Sequence, residues 1–514
     1  MTANDGDDAP LLSEPAVPVY GGLEGAPPQP SFKRNLGTAE AFSIIISIVI
    51  GSGIFTSPGA IDSNVPSPGA ALIVWLAGGV LAWTGAATMA ELGTAIPGEG
   101  GVQPYLQYIF GDVFGFLAAW TWVIAIVPAS LAIASIVFVE SIYSAVGVTD
   151  QSDKLAHKVL AMLVILVISM ANSVSTQFTT RLNRFFVMTK FAAILAIVTA
   201  GFAVVVSHLA GWKQTTEPGS QDWLTRSWFG PRNTVTLDGS EIEWSKLNGW
   251  ETLGHCSAAL YGALWAYSGW DKVIYVSAEL SAPARQLPLT INTAIPIVIL
   301  SFIAVNIAYY ILLPWGIVST TDSVAVTSFS HLLGPVFGVA AAALICLVVA
   351  GSLLGCSFVA SRMVVAAANS NWLPGFLGRI GSSMRSNSTA DAPVNAIIFT
   401  TVCTIIYIFF GNFRALVTFN GLAEYTFFFL TMIGAIILRI REPQLHRPYK
   451  PVIFAPIVFA LVSGLVVARG AIFAPRQAVV LVAVWVMGLG LYRGRREWRR
   501  RREEKGSSRP STRI

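Results

Sequence analysis

The chain is short of charge. Asp, Glu, Lys and Arg make up only 12% of its 514 residues, where a soluble protein carries about a quarter. It is also poor in metal and redox ligands. The four cysteines (Cys256, Cys346, Cys356, Cys403) fall in or at the edge of apolar segments without metal-ligand spacing, which excludes a disulfide framework and a zinc site. The five histidines show no paired spacing, so no catalytic cluster or metal centre is expected. There is no phosphate-binding loop and no long polar stretch for a nucleotide domain, which excludes a primary pump. No cofactor is implied. What the chain has instead is apolar length: hydrophobic residues make up 54% of it. Most of it belongs in lipid, and the sequence pI near 9 is an orientation signal rather than a sign of nucleic acid.

A spanning helix needs roughly 20 apolar residues. That ruler gives about twelve candidates, near 41–61, 69–90, 113–143, 157–176, 185–207, 255–280, 289–313, 335–368, 394–411, 415–438, 451–469 and 476–492. Residues 1–37 are acidic and rich in Pro and Gly, and read as a disordered tail. Residues 208–254 form the most polar interruption and read as an extracellular loop, too small for a catalytic domain. Lys33, Arg34, Arg181, Arg184, Arg285, Arg379, Arg385, Arg439, Arg441, Arg447, Lys450 and the basic tail at 493–514 lie on one side. The positive-inside rule makes that side, with both termini, cytoplasmic. The tail reads as a topology anchor, with anionic lipid as the alternative partner. The sequon at Asn387 falls on the cytoplasmic side, where it stays unmodified.

The first stretch contains "IGSGIFTSPG", with Gly51-Ser52-Gly53 near its centre. Glycine costs about 1 kcal/mol against alanine in a helix. Irregular backbone at membrane depth survives only against protein or a wet cavity. A break there would turn N–H groups of Gly51, Ser52 and Gly53, and the Ser52 hydroxyl, toward a carboxylate. Carbonyls of Val49 and Ile50 would accept from an ammonium, so the two poles suit a free amino acid. Taken alone, the triplet reads equally as a small-residue packing seam. The sixth stretch, "LYGALWAYSGWDKVIYVSAEL", breaks again at Ser268-Gly269. Paired breaks five spans apart are what a five-plus-five inverted repeat requires, and they are hard to explain as packing.

"IGSGIFTSPG", "ELGTAIPGEGGVQPYLQYIFG", "WAYSGWDKVIYVSAELSAPARQLPLTI" and "SRMVVAAANSNWLP" resemble the amino acid–polyamine–organocation superfamily. The match is nearest to the L-type amino-acid transporters and their fungal methionine-permease-like relatives, and it runs from 38 to 445. The resemblance implies an all-α polytopic fold with a ten-helix core at 38–438 (repeats 38–207 and 255–438) whose first and sixth helices are discontinuous. Two additional helices at 439–492 would complete it. Substrate would sit at the breaks, reached by alternating access. It assigns the carboxylate cradle to Ser52 and Gly53, with Gly51 as hinge. The ammonium site falls on carbonyls of Val49, Ile50, Trp265, Ala266 and Ser268, with Trp265 closing over the substrate. Ser130 and Tyr425 would line the pocket.

Three ionisable residues at membrane depth complete the reading, since such groups are costly and usually functional. Lys190 matches a position where the family replaces a bound sodium ion by a fixed ammonium, implying a sodium-independent carrier in which protons are the coupling candidate. The alternative is a lysine snorkelling to the surface. Glu424 reads as a proton carrier or a partner for a cation, or as a brace for the tenth helix. Asp271 reads as a cap on the second half-helix, and Glu91 and Glu279 as loop or gate salt-bridge residues near the cytoplasmic ends. The loop "SAVGVTDQSDKLAHK" lacks the cysteine that ties animal relatives to a single-pass glycoprotein, so no disulfide-linked heavy chain is expected. The sequence thus points to a plasma-membrane carrier of neutral, bulky or sulfur-containing L-amino acids, by proton coupling or exchange. A cationic amino-acid or polyamine carrier, and a transporter-like nutrient sensor, are the alternatives.

Overall fold

The computed structural model describes residues 34–507 except 35, 97, 99, 146–153, 211–218, 237–238, 322, 381–391 and 412. Most of the expected N-terminal tail, the loop without a cysteine and the Asn387 sequon therefore lie outside the described residues.

The chain is helical nearly throughout. In order it runs α1 (Thr38–Val49), α2 (Gly53–Asp62), α3 (Pro68–Ala95), α4 (Val102–Phe110) and α5 (Asp112–Thr121). A π turn, Trp122–Ile126, joins α5 to α6 (Val127–Ala145), followed by α7 (Leu155–Val174), α8 (Thr176–Leu209) and the single turn α9 (Asp222–Thr225). A two-stranded hairpin, β1 (Thr234–Val235) and β2 (Glu241–Ile242), precedes α10 (Gly249–Ala266) and a 3-10 helix at Lys272–Glu279. Then come α11 (Pro283–Leu312), the single turn α12 (Trp315–Val318), α13 (Val324–Leu333), α14 (Pro335–Asn369), α15 (Val394–Phe410), α16 (Phe413–Arg441), α17 (Phe454–Phe473) and α18 (Pro475–Ser507).

Among the described residues nine helical spans are long and apolar enough to cross a membrane, and the bent pair α1/α2 makes ten. The expectation of about twelve exceeds this for two local reasons. The stretch at 255–280 is cut after Ala266, and α15 is a 17-residue apolar helix. The last span does not stop at the basic tail, since α18 continues as helix to Ser507.

Caps at the polar ends explain where helices begin. Ser67 Oγ accepts from Ala70 N (3.2 Å) ahead of Pro68, and Asn248 and Glu251 form a reciprocal capping box. Between helices the contacts run through small residues, as expected where lipid offers no hydrophobic drive. A Cβ added at Gly78 would lie 2.7 Å from Ala263 Cβ, and one at Gly201 would lie 2.9 Å from Ala308 Cβ. Around the breaks, α1 packs on α8, α11, α14 and the 3-10 helix, and α10 packs on α2 and α3.

Residues 219–236 are tied to the end of α2 and the start of α3 as a cover. Trp228 O accepts from Gly69 N (2.7 Å), and Arg232 pairs with the fully buried Asp62 (2.5 Å), which also accepts from Tyr310 Oη (2.5 Å).

Candidate functional site

The first break is local and complete. Gly51 N turns back to Val49 O (2.8 Å), Ile50 leaves the helical region at ψ 80°, and α2 departs at 42° to α1. Gly53 and Ile54 open α2 with N–H groups that their own helix cannot satisfy. The second break leaves helix at Tyr267, and Gly269 holds φ +100°, a conformation that residues with a Cβ rarely adopt.

The two breaks touch. A Cβ on Gly53 would sit 2.6 Å from Ala266 Cα, and one on Gly269 would sit 2.5 Å from Ile48 Cγ2. Both glycines are therefore spent on close approach, and neither faces outward. Their walls are buried, whereas Ser52, Ser130, Trp265 and Ser268 are half-buried. These four sequence candidates are the ones left partly open. Gly51 lies against Ser352, where a Cβ would come within 3.0 Å of Oγ.

Lys190 of α8 does not snorkel. It is fully buried, and its Nζ donates to Ser47 O (2.7 Å), Val348 O (2.9 Å), Ser352 Oγ (2.8 Å) and Ile50 O. An ammonium has three donors, so this is a shared cradle of oxygens, and part of it belongs to the first break. Val49 O accepts from Gly51 N, while Ile50 O accepts from the Lys190 ammonium and lies 3.4 Å from Ser352 Oγ.

The remaining charges gather at the second break. Lys272 Nζ lies 2.9 Å from Asp271 Oδ2 and 2.9 Å from Glu424 Oε1, with all three groups buried. Asp271 is therefore no helix cap: its side chain accepts no bond from the backbone of the following turn, because the neighbouring ammonium takes its carboxylate. Glu424 is the partner of a cation. Tyr425 packs its ring against Phe428 and Phe459 (centroids 5.7 and 6.4 Å), with its hydroxyl in electrostatic reach of Glu424, Tyr261 and Asp271.

Sequence reasoning passes over Lys272, Ser352 and Asn420. Lys272 carries a visible signal, a second lysine at membrane depth. The other two carry none, since Asn420 is found only through Ser130 Oγ, which donates to its Oδ1 (3.0 Å). Away from the breaks Glu91 pairs with Arg439 and Arg447, and Glu279 with Arg362 (2.8 Å).

The amino acid permease family model matches residues 36–491. The chain belongs to that family. The permease is 31% identical to the human b(0,+)-type amino acid transporter 1 over 91% of its own length and 88% of the relative's. It is 29% identical to the mouse Asc-type amino acid transporter 1 (90% and 81%) and to the human cystine/glutamate transporter (90% and 85%). The permease is an integral membrane amino-acid transporter, not an enzyme.

Proposed function

We propose that this permease carries neutral, bulky or sulfur-containing L-amino acids by alternating access, without sodium, driven by protons or by exchange. The observation that carries this reading is the contact between the two breaks, Gly53 on Ala266 and Gly269 on Ile48. It juxtaposes free N–H groups of one half-helix with carbonyls of another, the two poles a zwitterion needs. Ser52 and Gly53 would take the carboxylate. Carbonyls of Val49, Ile50, Trp265, Ala266 and Ser268 would take the ammonium, with Gly51 as hinge, Trp265 as lid, and Ser130 and Tyr425 beside the side chain.

Sodium independence is supported by Lys190, whose ammonium already occupies carbonyls of the first break. The same lysine is the proposed coupling group, with Glu424 as its counterpart on α16. Within this reading the core is a five-plus-five inverted repeat of a twelve-helix protein on the fungal methionine-permease-like branch. Both termini are cytoplasmic, the membrane is the plasma membrane, and no heavy chain is attached by disulfide.

Uptake of labelled methionine, leucine and arginine into liposomes holding the purified protein tests this, with and without a pH gradient and internal amino acid. Stimulation by acid outside, lost in Lys190→Ala, identifies proton symport through that lysine; stimulation by internal amino acid alone identifies exchange. Ser52→Leu should abolish uptake in a protein that still elutes as a folded monodisperse species. Near-normal transport by that variant removes Ser52 from the site.

A further inference from the structure

We infer that Lys272 sets the charge selectivity of the permease, by holding Glu424 and Asp271 away from the substrate side chain. The inference rests on the amino-acid site proposed above and deepens it. Three observations carry it. The Lys272 ammonium bridges two carboxylates at 2.9 Å each, one beside it in sequence and one on α16. All three groups are at least nine-tenths buried, so their charges act in a medium where they cannot be ignored. The cluster follows the second break directly, where Gly269 meets Ile48, and the Lys190 ammonium holds Ser47 O and Ile50 O on either side of that contact.

Counted as ionised groups, the two lysines and two carboxylates sum to zero. A neutral side chain then enters a region with no net charge. A cationic side chain finds both carboxylates already paired, and an acidic one finds both ammonium groups committed. The Tyr275 hydroxyl is buried beside the triad and interacts with the Asp271 carboxylate, and the Lys272 ammonium lies 5.7 Å from the Tyr275 ring centroid. Once one member of the triad is removed, the charge left unpaired beside Tyr275 would attract a substrate group of the opposite sign.

Removing one member should therefore switch selectivity in a direction fixed by its sign. In Lys272→Met the set becomes net negative, and the arginine-to-leucine uptake ratio should rise about tenfold or more, the scale of a desolvated charge pair. In Glu424→Gln the set becomes net positive, and the glutamate-to-leucine ratio should rise instead. The double variant Lys272→Met with Glu424→Gln is again neutral and should return both ratios to the wild-type values. Each is measured in liposomes with labelled leucine, arginine and glutamate, after size-exclusion and thermal-melting checks. Folded variants whose ratios match wild type overturn the inference, as does wild-type protein that takes up arginine as readily as leucine. Should Lys272→Met not fold, the Glu424→Gln arm decides alone. Wild type that takes up none of the three would instead remove the amino-acid site itself.

Discussion

Gly269 joins two constraints in one residue. Its φ of +100° excludes most side chains, and the space where a Cβ would go is filled by Ile48. Gly269→Ala should cost about 1–3 kcal/mol in backbone strain beyond the clash. A lowered melting temperature with lost uptake is the expected result, and trimming the neighbour in Ile48→Ala should restore part of both. An unchanged melt in the single variant would mean that the two breaks are not in contact in the working protein. Lys190 is the other residue whose surroundings fix its state. Four oxygens converge on its Nζ, so its substitution strands acceptors as well as removing charge.

At the scale of elements, the breaks of the first and sixth spans are legible in the sequence because glycine and serine weaken a helix at the depth where lipid can satisfy no backbone group. The apolar runs themselves set most span boundaries to within a few residues, since their period-independent hydrophobicity is the strongest signal a chain carries. Distant pairing is not legible. Glu424 stands out as a lone carboxylate in "FNGLAEYTFFFL", yet nothing in that stretch names Lys272, 152 residues away. Asp271 resembles a cap for the same reason: sequence shows the neighbour in the chain but not the ammonium's reach. The contact between α2 and α10 belongs to this scale too. In Gly53→Val the new side chain meets backbone at Ala266 Cα, which cannot rotate aside. Uptake should fall to background while the helical content by circular dichroism stays; retained uptake would show that the half-helices have room to separate.

Across the whole molecule, ion pairs close both ends of the bundle. Arg232 and Asp62 fasten the cover segment over the end of α2, and Glu279–Arg362 and Glu91–Arg439 fasten the opposite face. Each pair joins two separate elements. Breaking a buried pair by removing one partner costs about 3–5 kcal/mol, so Arg362→Ala should lower the melting temperature. In a Leu280→Cys background it should also make the new thiol react faster with a membrane-impermeant reagent from the side of the 3-10 helix. Unchanged labelling would mean that Glu279 is held by the backbone alone.

One small contact ties the chain's beginning to this machinery. Leu36 exchanges backbone hydrogen bonds with the residues just past the second break, accepting from Ser281 N (3.1 Å) and donating to Glu279 O (2.9 Å). The residues just ahead of α1 are therefore tied to the 3-10 helix that follows the second break. Tension, bulk or a phosphate introduced upstream of Leu36 would be felt at the 3-10 helix through two bonds, which gives the amino-terminal end mechanical leverage over the segment that follows the second break.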